Sequence, residues 1–216
     1  MDRVQIINRL ISEFGLKRYL EIGVWRGDCL SKVRCEEKLG VDPNPIYQQG
    51  VLAISSDEFF AQYDGAPFDL VLVDGLHECR QTYRDLENSL AIVGDDGFVV
   101  CHDCMPTHEI EQRVPCEQEI WLGDVWKAIH ALRLKRPDIS FTTFDCDFGC
   151  CVLHKNPSVG FDGQSVLFGG ERVDWAYYLK HGEKFLNLKP ASHFDQFVQN
   201  LHAILVKKAF NKIYKS

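Results

Sequence analysis

Asp74 closes the apolar run Phe68-Asp-Leu-Val-Leu-Val-Asp-Gly-Leu-His77, with His77 three residues beyond it, and Asp103 closes a second run, Gly97-Phe-Val-Val-Cys-His-Asp103. Runs of this kind read as buried parallel strands, and the crevice beyond strand C-termini is where open α/β folds bind ligands. Two carboxylates delivered to one sheet edge suit a divalent cation held by hard oxygen ligands. A histidine beside them can move a proton near neutral pH. Asp74 and Asp103 are therefore the candidate metal ligands and His77 the candidate base. His102 is expected to turn away from Asp103, because side chains alternate along a strand.

A second constellation lies earlier, in Tyr19-Leu-Glu-Ile-Gly-Val-Trp-Arg-Gly27. Gly23 and Gly27 allow a sharp turn and a close backbone approach to a ligand. The GxGxxG pattern of dinucleotide folds is missing, and an acid, Glu21, stands where it would repel a pyrophosphate. It would instead attract the ammonium of an amino-acid-bearing cofactor. Asp42, in Gly40-Val-Asp-Pro43, ends the next strand and is placed to accept from ribose hydroxyls.

Strand and helix patterns alternate around these residues. Strands are expected over 19–24, 39–42, 51–55, 68–73 and 98–102, and a closing hairpin over 141–144 and 151–154. Val4, Ile7, Leu10, Ile11 and Phe14 recur at helical spacing before Gly15. Further helices are expected over 27–35, over 56–63 with Ser56 as cap, along the face Tyr83, Leu86, Leu90 and Val93, and over 124–134 with Asp124 as cap. The order implies a doubly wound α/β sheet, parallel except for its last strand. Residues 104–123 lack periodicity and follow Asp103 directly, as a functional lid would. Trp121 in that segment, with Tyr177 and Tyr178, either stacks on a sugar or packs within the protein.

These features together resemble the class I S-adenosylmethionine-dependent methyltransferases over about residues 18–155. The matching residues are Glu21, Gly23 and Gly27, then Asp42, then Ser55-Ser-Asp57 after the third strand. The resemblance implies a Rossmann-like seven-stranded sheet with a reversed last strand. It also implies cofactor contacts from Glu21, Gly23, Gly27, Asp42, Ser56, Asp57 and Asp74, with adenine near Ser56 and Asp57. More narrowly, Val73-Asp-Gly-Leu-His77, Tyr83-Arg-Asp-Leu86, Cys101-His-Asp103 and Val125-Trp-Lys-Ala128 resemble the branch of macrolide-sugar and related glycosyl O-methyltransferases. That likeness implies Asp74 and Asp103 as metal ligands, His77 as base, magnesium as the metal and a sugar or glycan-like hydroxyl as acceptor. Catechol O-methyltransferases follow the later acid with asparagine, whereas this chain has Cys104.

The 216 residues and ordinary composition fit one domain with a substantial core. Residues 1–155 form the expected methyltransferase unit and 156–216 a helical extension packed on it, with a linker-like stretch over 156–170. Helices are expected over 174–188 and 192–214; the second carries Phe194, Phe197, Val198, Leu201 and Leu205 on one face, and Lys207, Lys208, Lys212 and Lys215 toward its end. That face packs on the domain or forms a homo-oligomer contact. A formal charge of -7 disfavours nucleic acid and anionic membranes as main partners and points to a small-molecule or glycan acceptor. Charges break any apolar signal core in the first eighteen residues, so a cytoplasmic protein is expected. Nine cysteines, an odd number without paired zinc spacing, read as free thiols. The competing classes are a nicotinamide-dependent oxidoreductase and a non-catalytic cofactor-binding protein.

Overall fold

The computed structural model describes residues 1–156 and 172–214, with side chains as far as Lys207. Residues 157–170 of the expected linker, and the side chains of Lys208, Lys212 and Lys215, lie outside the described residues. The chain runs α1 (Arg3–Phe14), β1 (Arg18–Ile22), β2 (Glu37–Val41), β3 (Val51–Leu52), α2 (Ser56–Gln62), β4 (Phe68–Val73), α3 (Cys79–Ile92), β5 (Val93–Cys101), α4 (Val125–Lys135), β6 (Ser140–Asp145), β7 (Cys150–His154), α5 (Trp175–Phe185), β8 (Leu188–Pro190) and α6 (Phe194–Tyr214).

Eight strands form one sheet in the order β3-β2-β1-β4-β5-β7-β6-β8. β1 to β5 pair in parallel, and β7 runs against both β5 and β6. The alternating side chains of each central strand feed two cores. Leu20, Ile22, Val71, Val73, Val99 and Cys101 pack toward α3, α4 and α5, while Tyr19, Leu70, Leu72, Phe98 and Val100 pack toward α1 and α6. Burial on both faces is why these strands read as continuous apolar runs. No helix of the described residues is long and apolar enough to cross a membrane.

The structure differs from the sequence expectation at four elements. Residues 27–35 hold turns over 28–32 and no α-helix. Their backbone groups find side-chain partners instead: Glu21 accepts from the Leu30 amide, Asn8 bonds Lys32 and Arg34, and Lys38 donates to the carbonyls of Leu30 and Val33. The third strand stops at Leu52 because Ser55, in place of Ser56, caps α2 through a reciprocal box with Glu58. Asp124 precedes α4 without capping it, and its carboxylate accepts from the Cys79 amide at the start of α3, 2.6 Å away. The helix expected to reach 188 ends at Phe185. Asn187 enters the left-handed region (φ 49°) and donates to the Phe141 carbonyl, and Leu188–Pro190 joins β6 in parallel as an eighth strand.

Candidate functional site

A cleft of about 750 Å³ follows the C-terminal edge of β1, β2 and β4. At the end of β1, Glu21 is 1% exposed, and its carboxylate accepts from the Tyr19 hydroxyl at 2.6 Å and the Leu30 amide at 3.2 Å. Burial pushes its pKa up from 4.5 to about 7, although the Tyr19 bond favours the ionised form. A buried acid without a cation bonded to it is placed to receive one.

The loop after β1 is built around Asp42. One of its oxygens accepts from the amides of Val24 and Trp25 at 2.9 and 2.8 Å, and the other accepts from Asn44 at 2.8 Å. The carboxylate therefore shapes the loop while still lining the cleft. Gly23 has φ +88°, and a Cβ there would stand 2.0 Å from the Asp74 carbonyl oxygen, so this glycine lets the ends of β1 and β4 close together. Gly27 lies against the Tyr47 ring and outside the cleft lining.

Beyond β4 and β5 the acids and histidines converge. His77 Nε2 lies 3.2 Å from Asp103 Oδ2 and 3.5 Å from Asp74 Oδ1. His102 Nδ1 lies 3.1 Å from Asp74 Oδ1 and 3.2 Å from Asp103 Oδ1. The expectation that His102 faces away from Asp103 is overturned. β5 ends at Cys101, and Asp103 takes a positive φ of 58°, so strand alternation no longer governs the pair.

Two members of this cluster went unread in the sequence. Arg3, from the first turn of α1, places Nε 3.4 Å from Asp74 and a terminal nitrogen 2.8 Å from Asp147. Asp147, in the turn between β6 and β7, also accepts from the Arg3 amide at 2.9 Å and sits 3.3 Å from His102 Nε2. The capping box of Asp2 and Gln5 at the start of α1 and the left-handed backbone at Asp147 (φ 46°) aim the two side chains at each other. Both belong to distant segments without a local motif; the turn-like run Asp145-Cys-Asp-Phe-Gly149 was the one available signal.

The charges reinforce one another. Burial would lower the pKa of His77, but its contact with Asp74 and the charges of Asp103 and Asp74 outweigh this and raise it. The same competition lifts His102 well above its ordinary value through Asp74, Asp103 and Asp147. Burial would raise Asp74, yet His102, His77 and Arg3 hold it well below the usual carboxylate range. Oxygen atoms of Asp74 and Asp103 and a nitrogen of His102 lie within 4.8 Å of one another.

At the far end of the cleft, Gln81 donates to Ser56 (3.1 Å), Asp57 (3.2 Å) and Asp85 (3.0 Å), and Arg84 pairs with Asp57. Trp25, Leu76, Ile120, Trp121 and Phe148 add apolar surface to the lining. Tyr177 and Tyr178 are buried away from the cleft, Tyr178 against Trp126 and Trp175. The 104–123 segment is knit together. Glu111 accepts from the amides of Thr107 and His108 through its side chain, and from those of Leu122 and Gly123 through its carbonyl.

Residues 20–104 match a protein-family model described as a methyltransferase domain. No curated protein matches the chain. Among solved structures, the SAH-bound methyltransferase PaMTH1 of Podospora anserina is 14% identical, with 71% of this chain and 79% of that chain covered and a TM-score of 0.56. The O-methyltransferase TomG of Streptomyces achromogenes, involved in tomaymycin synthesis and solved with SAM, is 14% identical over 71% and 79% of the two chains, with a TM-score of 0.54. An O-methyltransferase of Bacillus cereus in complex with SAH is 12% identical over 71% and 80%, with a TM-score of 0.50. At these identities the likeness is one of fold: the chain has the Rossmann-like architecture of these methyltransferases.

Proposed function

We propose that this protein is an S-adenosylmethionine-dependent O-methyltransferase acting in the cytoplasm on a hydroxyl of a sugar or glycan-like small acceptor, with assistance from a divalent metal. The observation that carries the reading is one continuous cleft with Glu21 and Asp42 on its cofactor side and Asp74, His77 and Asp103 at its other end. The methyltransferase-domain match over 20–104 spans all of these residues.

His77 has the geometry of a base. Its Nδ1 lies 2.9 Å from the Trp121 carbonyl oxygen, which can only accept, so Nδ1 carries a proton and Nε2 is left for proton transfer. Nε2 would receive the acceptor's hydroxyl proton as the oxygen bonds the methyl carbon and the carbon–sulfur bond breaks. Asp103 and Asp74 stabilise the resulting imidazolium. Trp121 and Phe148 offer ring faces against which a sugar can be held in line.

The donor set fits a hard divalent cation such as magnesium: Asp74 and Asp103 would hold it through carboxylate oxygens, with His102 as a third ligand after losing a proton. A cation there would supply positive charge to the developing alkoxide. Labelled-methyl transfer into a panel of glycans and phenols, with and without a chelator, tests the reading. Chelator-sensitive labelling of a glycan hydroxyl is expected. Labelling confined to phenols overturns the acceptor class, chelator resistance overturns the metal, and a thermal shift with NAD in place of S-adenosylhomocysteine overturns the cofactor.

A further inference from the structure

Asp147 meets the acid and histidine cluster from the turn between β6 and β7 and has no part in the chemistry above. It is held there from both sides. Its Oδ2 accepts from the Arg3 amide at 2.9 Å and from an Arg3 guanidinium nitrogen at 2.8 Å. On the other side the turn is fastened to the segment that follows Asp103: the Met105 amide donates to the Phe148 carbonyl at 2.8 Å and the Cys104 amide to the Gly149 carbonyl at 3.1 Å. Asp147 and Phe148 both take left-handed backbone, with φ 46° and 61°, a strain that persists only where surrounding contacts over-determine it.

His102 lies between this turn and the two strand-end acids. The residue is 5% exposed; its Nδ1 faces Asp74 and Asp103 at 3.1 and 3.2 Å, and its Nε2 faces Asp147 Oδ2 at 3.3 Å. A neutral imidazole has one nitrogen with a lone pair and one with a proton. If Nδ1 gives its lone pair to a cation held with Asp74 and Asp103, the proton stands on Nε2, where burial makes an acceptor necessary. Arg3 Nη1 lies 3.4 Å from that nitrogen but can only donate, and the Cys150 sulfur, grouped with His102 and Asp147 within 4.8 Å, is a weak acceptor. Among the described residues, Asp147 is the strong acceptor in reach of Nε2.

We infer that Asp147 is a positioning residue for His102, accepting the Nε2 proton so that Nδ1 is presented as a nitrogen ligand to the divalent cation. This rests on the metal reading above. Arg3 serves the pair by holding the Asp147 carboxylate, which has lone pairs for both Arg3 donors and for Nε2–H. The backbone bonds from Cys104 and Met105 tie the turn that carries Asp147 to the segment that carries Asp103, so the oxygen ligand and the group that orients the nitrogen ligand are fixed to one another. A carboxylate behind a ligating histidine sets the tautomer and the ring orientation and makes the ligating nitrogen more basic.

Calorimetry on the full chain with Mn²⁺, which shares magnesium's preference for carboxylates and is paramagnetic, tests the assignment. Asp147→Gly suits the left-handed backbone and removes the acceptor, and is expected to weaken Mn²⁺ binding by about 10- to 100-fold, the usual effect of losing such a partner. Asp147→Asn keeps an acceptor oxygen and should recover most of the affinity, whereas a mere loss of negative charge would weaken both variants alike. In a His102→Ala background, Asp147→Gly should bring no further loss. Electron spin-echo spectra of the Mn²⁺ complex should show a bound nitrogen in the wild-type protein and lose it in His102→Ala, a readout that needs no Asp147 variant; melting curves establish that each variant is folded. Unchanged affinity in folded Asp147→Gly, the same loss in the His102→Ala background, equal losses in Asp147→Gly and Asp147→Asn, or absence of the nitrogen signal from the wild-type complex each overturns the inference. A wild-type protein that binds no Mn²⁺ would instead remove the metal reading, and this assignment with it.

Discussion

His77 Nδ1 lies 2.9 Å from the carbonyl oxygen of Trp121, and this contact decides which ring nitrogen is left for chemistry. The opposite nitrogen faces Asp103 and Asp74. The imidazole is thus oriented on one side by backbone and on the other by carboxylate, and it touches neither Glu21 nor Asp42. His77→Ala is expected to lower the single-turnover methyl-transfer rate by about 10² to 10⁴, the usual contribution of general base catalysis. S-adenosylhomocysteine affinity should change little. Full activity in the variant would require another base.

The backbone that carries His77 is held by a glycine. Gly123 has φ +59°, and a Cβ there would stand 1.6 Å from the His77 carbonyl oxygen. Gly15 has nearly the same φ, +62°, with nothing within 4 Å. Gly15→Ala should therefore cost only the left-handed backbone penalty of about 1 kcal/mol. Gly123→Ala should cost at least about 3 kcal/mol and reduce turnover by moving His77. Denaturant melts of the two variants measure the difference, and equal losses would show that the contact at His77 yields without cost.

How much of this was legible in the sequence depends on whether the signal was local. Asp74, His77 and Asp103 were readable because apolar strands end at them, and the structure gathers them within a few ångströms. Glu21 and Asp42 were readable for the same reason. His102 was misread because strand periodicity was carried one residue too far, past the point where Asp103 turns left-handed. The helix expected over 27–35 failed through tertiary competition: Asn8, Lys38 and Glu21 take the backbone groups that a helical ladder needs. Arg3 and Asp147, 144 positions apart, meet only because α1 and the β6–β7 turn flank the same strand ends.

That distant pair should be visible in stability. Arg3 ties Asp74 to Asp147, and its removal leaves two partly buried carboxylates without their guanidinium. Arg3→Met is expected to cost about 2 kcal/mol, below the range for fully buried pairs because a quarter of the side chain meets solvent. Adding Asp147→Asn to Arg3→Met should recover part of the loss, so a double-mutant cycle reports a nonzero coupling. Strict additivity in the melts would show that the bridge contributes nothing.

Glu21 gives a pH dependence of defined sign. Its carboxyl is held at about 7 in the folded chain against 4.5 ordinarily, through burial. Between those values the unfolded chain has lost this proton while the folded chain retains it, so this group's contribution to stability falls as pH rises from about 4.5 to 7. The total is roughly 3 kcal/mol. Glu21→Gln, which stays neutral, should therefore melt at a higher temperature than the wild-type protein at pH 8 and gain little at pH 4.5. Cofactor binding should run the opposite way, because an ammonium beside Glu21 favours the ionised form. S-adenosylhomocysteine affinity is expected to rise up to about tenfold per pH unit below 7 and level off above it, with a proton released into buffer on binding. Calorimetry in buffers of different ionisation enthalpy reads both quantities. A flat affinity profile in the wild-type protein, or the same slope in Glu21→Gln, would place the ammonium elsewhere in the cleft.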